Sequence, residues 1–172
     1  MSSAAAASSV FEISLSVQSE WETRKLILSG KQYDYIVSIT DPGAHDTNFM
    51  ALLALGLKAT GGRLLCLEFA DVDDVDSERP NAPNKTHLDK ILQLASDMKK
   101  EGKSKPEVLC HCHAGASRST AAAYILQREL GYCTEDAIQH MLRTSPIACP
   151  NPVLLGMYEG DDATMAKRIA EL

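Results

Sequence analysis

Apolar runs of strand length alternate with stretches of helical spacing along this chain, and few folds accept that alternation. Phe11 to Val17 alternates apolar and polar residues, and Tyr33 to Thr40 is an apolar run stopped by Asp41-Pro42-Gly43. Arg63 to Phe69 and Glu107 to His111 are two further strand-like runs. Between the first two, Ser19-Glu20-Trp21-Glu22 has the capping-box form and predicts a helix ending near Gly30. Asn48 to Ala59 predicts a second helix, stopped by Gly61-Gly62. Asp71 to Pro83, acidic and rich in turn formers, reads as a loop. Thr86, with Asp89 three residues on, opens a third helix through about Lys100. Arg118 to Leu130 predicts a fourth, stopped by Gly131, and Thr134 caps a fifth over Glu135 to Arg143. Pro146, Pro150 and Pro152 interrupt the next segment, and a last helix is expected near Val153 to Leu172 with a break at Gly160. This order predicts one α/β domain: a central, mostly parallel sheet of about four to five strands flanked by helices. Residues 10–172 are assigned to that domain, and residues 1–9, small and polar, to a disordered tail.

Charge narrows the choice of ligand. Lys and Arg number 17 against 23 Asp and Glu, a net charge of -6, which argues against general affinity for nucleic acid or an anionic membrane. The longest apolar run, Phe49 to Leu57, is too short to span a bilayer, and the first residues lack the basic start and apolar core of a signal peptide. The five cysteines (Cys66, Cys110, Cys112, Cys133, Cys149) are odd in number and have no secreted-scaffold spacing, so reduced thiols in a cytoplasm are expected.

In a parallel sheet ligands bind beyond the carboxyl ends of the strands. Asp41, Asp71 and Cys112 follow the second, third and fourth strands, so all three fall on that edge. After Cys112 come His113, Ala114, Gly115, Ala116 and Ser117, then Arg118, Ser119 and a helix. A cysteine attacks only as the thiolate, and converging backbone N–H groups, a helix N-terminus and a guanidinium all favour the anion. Residues 113–117 must curl so that their amides point at phosphate oxygens. Small side chains let the backbone approach closely, and Gly115 can take a positive φ. Arg118 is suited to bidentate grip of two phosphate oxygens. Ser119 is placed to donate a hydrogen bond to the departing sulfur, and His111 to orient the loop through hydrogen bonds.

His-Cys-x5-Arg-Ser between a strand and a helix resembles the signature of the cysteine-dependent protein tyrosine phosphatase superfamily. Ala70-Asp71 after Leu65-Cys66-Leu67 resembles the general-acid loop of its dual-specificity branch. Pro150-Asn151, with Leu154-Leu155 after it, resembles the Pro-Asn segment that packs beside the active site there. The loop Asp41-Pro42-Gly43 is similar to that of compact bacterial members, and the likeness spans roughly Ile36 to Leu155. The resemblance implies a tyrosine phosphatase-like fold and a two-step hydrolysis of phosphotyrosine, extending to phosphoserine or phosphothreonine, in a phosphorylated protein or peptide. Cys112 forms a cysteinyl-phosphate; Asp71 protonates the leaving oxygen and then activates water. No metal or cofactor is implied, and Asn151 supports the site from behind. Asp73, Asp74 and Asp76 remain alternatives to Asp71. Pro146 stands near the place of an arginine that some relatives use for a second phosphate, and no lysine lies in the loop, so a polyanionic substrate is disfavoured.

Other readings stand beside this one. A non-catalytic phosphate-binding module keeps the loop and Arg118 but lacks a working acid. A rhodanese-like sulfurtransferase also cradles a cysteine, although Arg118-Ser119 and the upstream aspartate favour phosphate. Cys110-His111-Cys112-His113 as a zinc site requires neighbouring strand residues, which point alternately to opposite faces, to converge. Cys66 and Cys110 are buried apolar residues or redox partners of Cys112. Asp41 is a turn former or a substrate contact at the pocket rim. His45, His87 and His140 are expected at the surface.

Overall fold

The computed structural model describes residues 10–44, 46–73 and 79–160. The proposed tail, His45, Asp74, Asp76 and the stretch 161–172 of the expected last helix lie outside the described residues. Four strands, β1 (Ser14–Ser19), β2 (Tyr35–Thr40), β3 (Arg63–Glu68) and β4 (Glu107–Cys112), form one sheet in the order β1-β4-β2-β3, and every pair is parallel. Among the described residues six helices cover it: α1 (Glu20–Leu28), α2 (Thr47–Leu57), α3 (Lys85–Glu101), α4 (Arg118–Glu129), α5 (Thr134–Thr144) and α6 (Pro152–Glu159).

The faces divide by the period-2 alternation of the strands. Ile36 and Leu109 point toward α1 and α2, where Ile27, Phe49, Leu53 and Leu57 complete a small core. Val17, Val37, Ile39, Val108 and Cys110 point the other way into a larger core with α3 to α6. Residues Arg118 to Gln127 of α4 are all buried, because α3, α5, α6 and the sheet surround that helix. Ala121-Ala122-Ala123 keeps its girth small enough for such close neighbours. The helix that carries Arg118 and Ser119 is therefore held on every side.

Several boundaries differ from the sequence reading. The first strand starts at Ser14, not Phe11, because it pairs in register with β4 from Ser14↔Glu107 to Ser19↔Cys112. Phe11 instead donates its N–H to the Leu130 carbonyl at 2.9 Å. The cap of α3 is Asn84, not Thr86: its side chain accepts from the Thr86 and His87 amides, and the His87 ring answers on the Asn84 amide. Cys133, not Thr134, caps α5, its sulfur accepting from the Asp136 amide. Pro152 opens α6 from the first turn, where its missing N–H is no loss, and Gly160 ends that helix as expected. His87 and His140 are half-buried, His87 against Phe69 and His140 beside Tyr132 and bonded to Gln127. Among the described residues no helix is long and apolar enough to cross a membrane.

Strand β4 splits its own cysteines and histidine between the faces. Cys110 and Cys112 enter the larger core, while His111 meets the Phe49 ring edge-on at 5.1 Å on the other side. The four neighbouring candidate zinc ligands thus do not converge. Burial pushes the His111 imidazole down from its ordinary 6.5 to about 4. Between those values the unfolded chain binds a proton that the folded chain refuses, so stability falls as pH drops from about 6.5 toward 4. Urea midpoints measured across that interval should decline with pH in the wild type, and the decline should be shallower in His111→Phe.

Candidate active site

The chain leaves β4 at Cys112 and enters α4 at Arg118, and the turn between them is anchored by its carbonyls. The His113 carbonyl accepts the Glu20 amide at 3.2 Å, at the start of α1. The Gly115 carbonyl accepts the buried Ser145 hydroxyl at 2.8 Å, beyond the end of α5. The Ala116 carbonyl takes the Cys149 amide at 2.8 Å, and the Ser117 carbonyl takes the Asn151 amide at 3.1 Å. Thr120 shares its hydroxyl between the Ala116 and Ser117 carbonyls at 2.6 and 2.7 Å. Peptide planes whose oxygens face outward turn their N–H groups inward. Among the described residues the amides of Ala114 through Arg118 have no hydrogen-bond partner. They form a nest of donors at the N-terminus of α4, a ready site for an anion.

Gly115 makes that curl possible. Its φ is +72°, and a β-carbon there would lie 2.6 Å from the backbone of Gln18 and Ser19 at the end of β1. Cys112 sits at the floor, 2% exposed, with its sulfur 3.1 Å from the Ser119 hydroxyl. Burial pushes the Cys110 thiol up, with Cys112 adding to the effect, so Cys110 stays protonated two residues away.

Arg118 is 4% exposed and points back across the loop. Its Nη1 donates to the Asp41 carboxylate at 2.7 Å and to the Phe69 carbonyl at 2.9 Å. Among the described residues its buried Nε has no hydrogen-bond partner, and it lies 4.0 Å from Asp71 Oδ2. Asp71 Oδ1 accepts from the Ser117 hydroxyl at 2.6 Å and from Asn151 Nδ2 at 3.0 Å. Asn151, fully buried, also donates to the Val72 carbonyl and caps α6 by accepting the Leu154 amide. Asp41, Asp71 and Cys112 from the ends of β2, β3 and β4 thus meet Arg118, Ser119 and Asn151 from the starts of α4 and α6. Asp73 is exposed and makes no hydrogen bond to a described residue.

Two expectations need correction and one is extended. His111 turns its ring to Phe49 on the face opposite the loop, and among the described residues neither ring nitrogen makes a hydrogen bond of full geometry; a polar neighbour is the adjoining Cys112 backbone. Asp41 does more than turn the chain, since its carbonyl accepts the Ala44 amide while its carboxylate grips Arg118. Cys66 is exposed, and its register through Ser38 to His111 puts it on the face opposite Cys112, so a disulfide between them would require the sheet to move. Ser145, Thr120 and the Phe69 carbonyl escaped the sequence reading. Nothing around Ser145 in the chain marks it, whereas Thr120 is at the i+4 spacing from Ala116 that lets a hydroxyl reach back to a helix-start carbonyl.

The glycine generates a direct expectation. Gly115→Ala should lower the melting temperature and remove inorganic phosphate binding in calorimetry, because both the left-handed φ and the Gln18–Ser19 contact oppose a side chain. Retained binding at wild-type affinity would show that the nest does not depend on this turn.

No protein-family model and no curated protein matches the chain. Solved structures do resemble it. Human DUSP28 is 20% identical, with 89% of this chain and 94% of that one covered at a TM-score of 0.54. Tk-PTP in its active form is 17% identical, with 93% and 99% covered at 0.54. A mouse putative dual specificity phosphatase complexed with zinc tungstate is 20% identical, with 98% and 96% covered at 0.52. With a parallel sheet in the order β1-β4-β2-β3, helices over both faces and the loop between β4 and α4, the chain has the fold of the dual-specificity and tyrosine phosphatases.

Proposed function

We propose that this chain is a cytoplasmic phosphomonoesterase that hydrolyses phosphotyrosine, and phosphoserine or phosphothreonine where they reach the sulfur, in proteins or peptides. The observation that carries the reading is an unpartnered donor set in the loop that follows one buried cysteine: among the described residues the amides of Ala114 to Arg118 and the buried Nε of Arg118 have no hydrogen-bond partner, and Cys112 opens that loop. A phosphate dianion supplies the acceptors that this set lacks. The mouse phosphatase of this fold is complexed with zinc tungstate, whose oxyanion has phosphate-like chemistry.

In the first step the Cys112 sulfur bonds to phosphorus as the ester P–O bond breaks, and Asp71 passes a proton to the leaving oxygen. The loop amides and Arg118 hold the equatorial oxygens while charge redistributes. Asp41 and the Phe69 carbonyl keep Nη1 occupied, so the Nε edge faces the phosphate. In the second step water attacks phosphorus, Asp71 takes its proton, and the S–P bond breaks. Ser119, 3.1 Å from the sulfur, stabilises the departing thiolate. His113 and Ala114 are exposed at the lip, where a substrate chain would pass.

Hydrolysis of p-nitrophenyl phosphate in the presence of a chelator tests the proposal. The wild type should turn over, and Cys112→Ser should lose turnover while still binding inorganic phosphate. Absence of turnover by the wild type, with phosphate bound, would instead support a binding module; thiosulfate-to-cyanide transfer would support sulfurtransfer. Asp71→Asn should lower kcat by roughly two to four orders of magnitude on a substrate with a poor leaving group. An unchanged kcat there would move the acid role to another aspartate of the segment.

A further inference from the structure

We infer that Ser117 and Asn151 act as a two-donor latch on one oxygen of Asp71, which fixes the acid proton on the other oxygen, Oδ2, facing Arg118. The inference rests on the phosphatase reading and adds to it a proton position and two positioning residues.

The hydrogen-bond directions carry it. Asn151 Oδ1 accepts the Leu154 amide at 3.0 Å as the cap of α6, so its orientation is settled by the helix. The amide group therefore points the other way, giving one hydrogen to the Val72 carbonyl at 2.9 Å and one to Asp71 Oδ1 at 3.0 Å. The Ser117 hydroxyl donates to the same oxygen at 2.6 Å. An oxygen that accepts two donors is the poorer place for a proton. Among the described residues Asp71 Oδ2 carries no such bond, and the cation beside it is Arg118 Nε at 4.0 Å, the edge left for phosphate. A proton on Oδ2 thus faces the bound phosphoryl group, and Oδ2 is the oxygen that later takes the proton from water.

The latch also ties two separate segments together. Ser117 belongs to the phosphate loop and Asn151 to the start of α6, whose amide is bonded to the Ser117 carbonyl. The acid loop is held from its other side by the Ala70 amide on the Asn81 carbonyl at 2.7 Å and by the burial of Val72. Asp71 itself is 44% exposed, so without the two donors its carboxyl would rotate into solvent.

Leaving-group dependence separates this role from a merely structural one. Phenyl phosphate expels a phenol with a pKa of about 10, as tyrosine does, and needs the acid; p-nitrophenyl phosphate expels a far better leaving group and needs it less. Ser117→Ala and Asn151→Ala should each lose at least roughly tenfold more kcat on phenyl phosphate than on p-nitrophenyl phosphate. Ser117→Thr, which keeps the hydroxyl, should recover most of that difference. In an Asp71→Asn background Ser117→Ala should add no further leaving-group effect, since the group it positions is gone. Ser117 is accessible and its replacement does not depend on the buried cap of α6, so this variant decides the matter if Asn151→Ala fails to fold. Equal losses on both substrates, or additive losses with Asp71→Asn, would overturn the latch and leave the phosphatase reading standing. No turnover of p-nitrophenyl phosphate by the wild type would overturn both.

Discussion

The loop between β4 and α4 depends on the disposal of its carbonyl groups. A backbone cannot turn successive N–H groups toward one point unless their carbonyls find partners on the outside. Here three of those partners come from distant segments, the start of α1, the end of α5 and the connection to α6, and a local one is Thr120 of α4. Each one satisfies an oxygen that would otherwise compete for the loop's own amides. The parallel sheet contributes the other half of the constraint, because β1 runs beside β4 and places Gln18 and Ser19 against Gly115. The donor nest is therefore a property of the whole fold rather than of the residues 112–118.

Charge at the site follows the same logic of outside partners. A buried guanidinium needs compensation, and Arg118 finds it in Asp41 and the Phe69 carbonyl, from the ends of β2 and β3. Both contacts use Nη1, and together they hold the planar group at a fixed angle. Its Nε is buried without a hydrogen-bond partner among the described residues, with the Asp71 carboxylate 4.0 Å away. Asp71 is managed differently: exposed at the lip, it is steadied by neutral donors on a single oxygen.

Local sequence signals read well where one residue settles its own surroundings. Ser19 caps α1 through the Glu22 amide, Gly115 takes the positive φ, and Gly160 ends α6. The four strands and the positions of Cys112, Asp71 and Asp41 on one edge were also legible, since a parallel sheet orders its strand ends in space. Signals failed where two candidates compete for one job. Asn84 and Thr86 both suit a cap, and the reciprocal bond from His87 decides for Asn84. Cys66 reads as apolar core from its strand, yet β3 is an edge strand, and edge position is invisible until the strand order is known.

From its residues alone the chain declares a strand, a cysteine, a small-residue turn and an arginine at a helix start, because these are short-range facts with short-range physics. Only the folded arrangement decides what those residues touch. That Asp41 grips Arg118, that Ser117 bonds Asp71, and that His111 turns away toward Phe49 depend on side chains separated by tens of positions along the chain. Spacing in sequence carries no information about such contacts; strand order, register and the two faces of the sheet create them.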